Sequence, residues 1–214
     1  MHLPHSPSRE SLSVRLVADA DLPTEFGVFR ILGFASEDDG KEHVAIVKGD
    51  VAMAEDVLLR VHSECLTGDA FGSLRCDCRQ QLHASLERIA SEPYGVVLYL
   101  RQEGRGIGLL NKLRAYALQD NGLDTVDANL ALGFEDDERD YSVGAQMIEL
   151  LGIRSIRLMT NNPQKVGQLR RHGVAISARE PHVMAENPHN RGYLQTKALR
   201  SGHLLPLGPG LAAK

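Results

Sequence analysis

Apolar and polar residues alternate along the first third of the chain, and a helical period then takes over. Residues 14–18, 27–34, 43–48 and 57–62 are β-branched or alternating runs parted by turn-forming Asp, Gly and Pro, the pattern of strands. Beyond them, 80–91 places Leu82, Leu86 and Ile89 on one helical face, and 95–100 is a short apolar run of the kind buried in a sheet. A second helix is predicted over 109–121 with Gly122 just past its end, and a third over 141–151. Strand 155–160, helix 164–172 and strand 174–178 complete the series. This order predicts an α+β fold with a mixed sheet, its strand-rich N-terminal half followed by βα units. One catalytic domain is expected over 13–203, between flexible tails at 1–12 and 204–214, where Pro, Gly and polar residues replace the periodic pattern.

Composition narrows the function classes. The chain has 214 residues, 43% of them apolar and 24% charged, with a formal charge of -4. No overall basic field would draw it to nucleic acid or an anionic membrane, although a local basic pocket is compatible with that charge. No run is apolar and long enough for a signal peptide or a bilayer span, so cytoplasmic residence is the expectation. Three cysteines in a reducing compartment rarely make disulfides, and an odd number leaves one unpaired in any scheme.

Those cysteines, Cys65, Cys76 and Cys78, fall in one short stretch spaced C-x10-C-x-C. If the segment is extended, Cys76 and Cys78 point to the same side and can share an ion, with Cys65 returning across a loop containing Gly68 and Gly72. Three protein ligands leave a fourth tetrahedral position for water, the arrangement of a catalytic zinc, and soft thiolates favour zinc over magnesium or calcium. The plainer alternative is three small buried side chains without a metal. Three thiolates exceed the charge of a divalent ion, so basic neighbours are expected, with Arg75, Arg101 and Arg105 as candidates. His62-Ser63-Glu64 matches the first half of the zinc nucleobase deaminase signature, but the required P-C-x-x-C is absent. What survives is the chemistry of an activated water attacking an electron-poor ring carbon, with Glu64 moving protons.

Residues 101–109, RQEGRGIGL, link a strand to a helix and read equally well as an anion site or a plain glycine-rich turn. They form neither a Rossmann fingerprint nor a Walker loop. Glu103 could accept the N1–H and N2–H2 edge of guanine, or could simply pair with Arg101 or Arg105. The acidic run 136–140 suits a solvated helix start, 160–165 suits either a phosphate site or an Asn-capped helix, and Tyr116 falls on an amphipathic helix where core is the default.

The run Arg60-Val61-His62-Ser63-Glu64-Cys65-Leu66-Thr67-Gly68-Asp69, with Leu74-Arg75-Cys76-Asp77-Cys78, closely resembles the GTP cyclohydrolase II family. So do Arg101-Gln102-Glu103-Gly104-Arg105, Ile107-Gly108-Leu109-Leu110-Asn111-Lys112, Asp137-Glu138-Arg139-Asp140 and Thr160-Asn161-Asn162-Pro163, in the family's order between about residues 14 and 203. The resemblance implies the first step of riboflavin biosynthesis. GTP would lose C8 as formate and its outer phosphates as pyrophosphate, leaving 2,5-diamino-6-(5-phosphoribosylamino)pyrimidin-4(3H)-one. It implies one Zn2+ on Cys65, Cys76 and Cys78, Mg2+ on the GTP phosphates, and a homodimer. Positions matching GTP contacts are Arg60, Val61, His62, Ser63, Glu64, Gln81, Glu103, Gly104, Arg105, Thr125, Thr160 and Lys165. Asp137 matches a proton acceptor, Arg139 a nucleophile toward the α-phosphorus, and Tyr116 a tyrosine near the reacting ring. The sequence departs from the family after Cys78, where Arg79 and Gln80 replace Gly and an apolar or aromatic residue. That departure leaves open a paralogue acting on another nucleotide, and a catalytically idle nucleotide binder or zinc sensor is a further alternative. The length suggests a monofunctional chain without a dihydroxybutanone-phosphate synthase domain.

Overall fold

The computed structural model describes residues 13–206; the expected tail 1–12 and the last eight residues of the expected tail 204–214 lie outside the described residues. At residue 204 the chain is still attached, for the Leu204 N–H donates to the Asn161 carbonyl at 2.8 Å.

Seven strands form one mixed sheet in the order β1-β2-β3-β5-β4-β6-β7. β1 (Val14–Thr24), β2 (Gly27–Ser36) and β3 (Glu42–Lys48) form an antiparallel meander, and β3 pairs antiparallel with β5 (Gly95–Leu100). β5, β4 (Val57–Ser63), β6 (Ile156–Met159) and β7 (Ile176–Glu180) run parallel. The mixed sheet and its strand-rich start agree with the sequence reading.

The central strands β4 and β5 are almost wholly buried because both faces are covered, as parallel strands require. Alternate residues of β4 serve different layers. Leu59 and Val61 join a core with Tyr141, Met147, Ile148 and Leu169, brought by and beside α5 (Ser142–Leu150) and α6 (Pro163–Arg171). Leu58 faces the other layer, where Leu86 and Ile89 of α2 (Cys78–Ala90) pack with Val97, Phe29 and Met159. Truncating a side chain such as Ile89, fully buried here, would cost about 2–5 kcal/mol.

Several expectations needed correction. β1 runs on to Thr24 rather than ending at residue 18. It is an edge strand, paired only to β2 and largely exposed, so Asp19 and Asp21 can sit in it without disturbing a core. β7 begins at Ile176, not Val174, because the Val174 N–H caps α6 by donating to the Leu169 carbonyl beyond Gly173 at φ 84°. Cys78 does not lie in an extended segment; it is the first residue of α2. Three short helices were not anticipated: α1 (Leu66–Asp69), α4 (Thr125–Ala131) and α7 (Arg191–Leu199). α4 carried a local signal, since the Asp124 carboxylate accepts from the N–H groups of Val126 and Asp127 at its start. No helix among the described residues is long and apolar enough to cross a membrane.

Candidate active site

The carboxyl ends of the parallel strands β4, β5 and β6 open onto one edge of the sheet, where ligands bind in open α/β sheets. β4 delivers Arg60, His62 and Ser63 and leads to Cys65; the turn after β5 delivers Glu103, Gly104 and Arg105; the end of β6 delivers Thr160. These residues line a cleft with two halves that share Ser63, Cys78, Arg105, Arg139 and Tyr193.

One half holds the cysteines. Their three sulfurs lie within 4.8 Å of one another, with Cys65 Sγ and Cys76 Sγ 3.7 Å apart. Tetrahedral ligands on zinc–thiolate bonds of about 2.3 Å stand about 3.8 Å from each other, so the donor set fits such an ion. The cradle depends on Gly68, since a Cβ there would lie 2.8 Å from Cys76 Sγ and 3.1 Å from Cys65 Sγ. Hydrogen bonds from the Cys76 and Cys78 thiols hold the Cys65 thiol far below its ordinary range, with burial opposing and Lys112 reinforcing. As donor to Cys65, Cys76 is pushed up to about 11. A bound cation would displace those shared protons. Behind the cluster, Asp69 Oδ2 accepts from the Cys65 N–H at 3.0 Å and from Tyr99 OH at 2.9 Å, while His62 Nε2 lies 3.1 Å away.

The basic neighbour of the thiolates is none of the three arginines expected. Arg101 pairs with Glu64 at 2.9 Å, Arg105 pairs with Asp136, and Arg75 pairs with Asp120 at 2.6 Å while lying over the Tyr116 ring. Lys112 of α3 (Leu109–Asp120) takes that place, its Nζ 3.0 Å from Cys65 Sγ. The sequence reading assigns Lys112 no role beyond its place in the 107–112 motif, and its burial beside Ala115 is visible only in the structure. Glu103 is buried and pairs with Lys112 rather than with Arg101 or Arg105. Tyr116 is not a core residue; its OH lies 3.3 Å from Thr67 Oγ1, and the ring lines the cysteine half with Glu64 and Thr125.

The other half is cationic. Arg60 reaches the Met159 carbonyl at 2.9 Å and also donates to Gln81, whose own side-chain amide donates to Asp77. Lys165 Nζ donates to the Val61 carbonyl at 2.6 Å, and burial together with Arg60 and Arg139 pushes that lysine well below its ordinary value. Arg139 presents two edges to Asp137, with Nε 2.7 Å from Oδ1. Burial opposes the charge of Arg139, but Tyr141 and Asp137 outweigh it and hold the guanidinium above its ordinary value. Burial likewise opposes Asp137, yet the Arg139 bonds keep its carboxyl below the usual range. Thr160 Oγ1 accepts from the Asn162 N–H at 3.0 Å at the start of α6. Tyr193 and Lys197, one turn apart on α7, also face this half and had no counterpart in the sequence reading.

Of the expected site residues, two do not reach the cleft. Val61 turns its side chain into the core, leaving its carbonyl to Lys165, and Asp137 stands behind Arg139. Arg79 is exposed on α2 with its guanidinium over Gly72, where a Cβ would come within 2.8 Å of it, and it lines neither half.

The three cysteines could hold a metal ion, and the cleft joins them to a group of buried cationic side chains. The sequence model of GTP cyclohydrolase II matches residues 15–181, and the chain belongs to that family. It is 54% identical to GTP cyclohydrolase-2 of Haemophilus influenzae over 90% of this chain and 89% of that protein. It is 60% identical to the riboflavin biosynthesis protein RibBA of Bacillus subtilis over 87% of this chain and 47% of that protein. The chain thus spans about half the length of the RibBA relatives it matches. Among solved structures, a two-domain 3,4-dihydroxy-2-butanone 4-phosphate synthase from A. baumannii aligns with 20% identity and a TM-score of 0.41, over 71% of this chain and 35% of that one.

Proposed function

We propose that this protein hydrolyses GTP, opening the imidazole ring of guanine with release of formate and pyrophosphate as the first step of riboflavin biosynthesis. The observation that carries the reading is the joined cleft, a three-cysteine group at one end and a buried cationic pocket at the other. Ring opening needs an activated water beside a purine, and pyrophosphate release needs positive charge around a triphosphate; the two halves suited to these share Ser63, Cys78, Arg105, Arg139 and Tyr193.

In this reading Cys65, Cys76 and Cys78 hold zinc. An ion held by them would supply Lewis-acid activation of water for the ring opening. Tyr116 borders the ring, and Glu64, held by Arg101, is the carboxylate in that half able to move protons. Arg60, Arg105 and Lys165 bind phosphate oxygens together with magnesium, and Ser63, His62, Gln81, Gly104, Thr125 and Thr160 complete the substrate contacts. Glu103 sets the turn that presents Gly104 and Arg105: its oxygens already accept from the N–H groups of Leu66 and Gly104 and from Lys112. Arg139 acts by stabilising charge on the phosphoryl oxygens. A guanidinium clamped by Asp137 is a poor nucleophile, so the covalent role implied by resemblance is the less favoured one. The protein is proposed to work as a cytoplasmic homodimer.

The test is incubation of the zinc-loaded protein with GTP and magnesium, following formate, pyrophosphate and the pyrimidine chromophore. Equal release of formate and pyrophosphate is expected. No turnover of GTP would sink the reading, and pyrophosphate without formate would restrict it to the phosphate chemistry. A guanylylated enzyme trapped in a single turnover would restore Arg139 as nucleophile.

A further inference from the structure

Lys112 takes no part in the reaction as described, yet it is the one lysine among the described residues bonded to a cysteine sulfur. Burying an ammonium on a helix face costs several kcal/mol unless partners replace its water. The structure supplies two. Nζ donates to Cys65 Sγ at 3.0 Å and to Glu103 Oε1 at 2.7 Å. Glu103 closes a ring back to the same cysteine, because its Oε2 accepts at 2.7 Å from the N–H of Leu66, the residue after Cys65. The backbone makes room for this: at Gly104, φ 63°, a Cβ would stand 3.1 Å from Lys112 Cβ.

We propose that Lys112, braced by Glu103, is a positioning residue of the metal centre. It holds the Cys65 sulfur in its ligating place and, by donating a charged hydrogen bond to that sulfur, stabilises its thiolate form. The Lys112–Glu103 pair thereby fixes one ligand of an all-thiolate site from the wall of the cleft. The inference rests on the zinc reading of the three cysteines.

The test uses the full chain loaded with cobalt in place of zinc, whose thiolate-to-metal charge-transfer band reports the energy of the sulfur lone pairs. In Lys112→Met the band moves to longer wavelength, because a thiolate without its ammonium gives up an electron more easily. Metal affinity, measured by chelator competition, falls about 10- to 100-fold, as for other partners that orient metal ligands. Lys112→Arg keeps a charged donor and restores most of both. Glu103→Gln shifts the band the opposite way, since the ammonium then leans wholly on the sulfur. A Lys112→Met protein with lowered melting temperature but unmoved band and affinity overturns the inference, leaving Lys112 a packing role only. Should that variant fail to fold, Glu103→Gln decides alone: an unmoved band, or one at longer wavelength, overturns it. Absence of any charge-transfer band in the unaltered protein would remove the zinc reading and this inference together, whereas a normal band there isolates the failure to Lys112.

Discussion

At the cysteine end of the cleft, three sulfurs meet one ammonium, Lys112; at the other end, Arg60, Arg139 and Lys165 crowd together with Asp137 and Asp77 set behind them. The first arrangement becomes short of positive charge once all three sulfurs are thiolates, and the second concentrates positive charge. Each is matched by a different part of the proposed ligand set, a cation at one end and a polyanion at the other. The two ends should therefore tolerate change differently. The cysteine end is governed by space, as Gly68 illustrates, and the cationic end by paired charges.

The comparison can be broken most severely at the cationic end. Arg139→Met removes the guanidinium and strands Asp137, and kcat for pyrophosphate release should fall about 10²–10³-fold, read by steady-state kinetics, while zinc content stays at that of the unaltered protein. At the cysteine end, Gly68→Ala places a methyl against Cys65 and Cys76. It should destabilise the fold by about 1–3 kcal/mol and weaken metal retention under chelator challenge, with GTP binding by the metal-free protein unaffected.

Acid should act on the cationic end. His182 is buried, with Nε2 2.8 Å from the Gln81 carbonyl and 3.1 Å from Ser85 Oγ. Burial and then Arg60 lower its value from 6.5 to about 4. The unfolded chain therefore binds the proton first. The His182 contribution is intact above pH 6.5 and is lost as pH falls toward 4, by no more than about 3 kcal/mol. Denaturant melts across that window should show the loss, and His182→Gln should flatten it. The smallest effect is expected at Arg79. Being exposed and outside the cleft, Arg79→Ala should change stability by less than about 0.5 kcal/mol and leave metal content unaltered.

Much of this was legible in the sequence because periodicity and motif coincide there. The buried runs of β4 and β5, the helical stripe of α2 and the three cysteines were all read correctly as elements or candidate ligands. What escaped was set by tertiary partners. Cys78 joins the cluster through the turn into α2 rather than through an extended pair, and nothing local distinguishes the two. Lys112 looks like an ordinary helical lysine until Glu103 and Cys65 are brought beside it. α7 buries no residue fully, so it had no apolar stripe to announce it, yet it brings Tyr193 and Lys197 to the cationic half.

The division of labour between the two ends is tested most directly with Cys76→Ser, measuring zinc content, formate and pyrophosphate side by side after incubation with GTP and magnesium. The account predicts a protein that has lost its zinc and releases no formate, while GTP still binds through the cationic half. Formate release by a metal-free Cys76→Ser protein would contradict it.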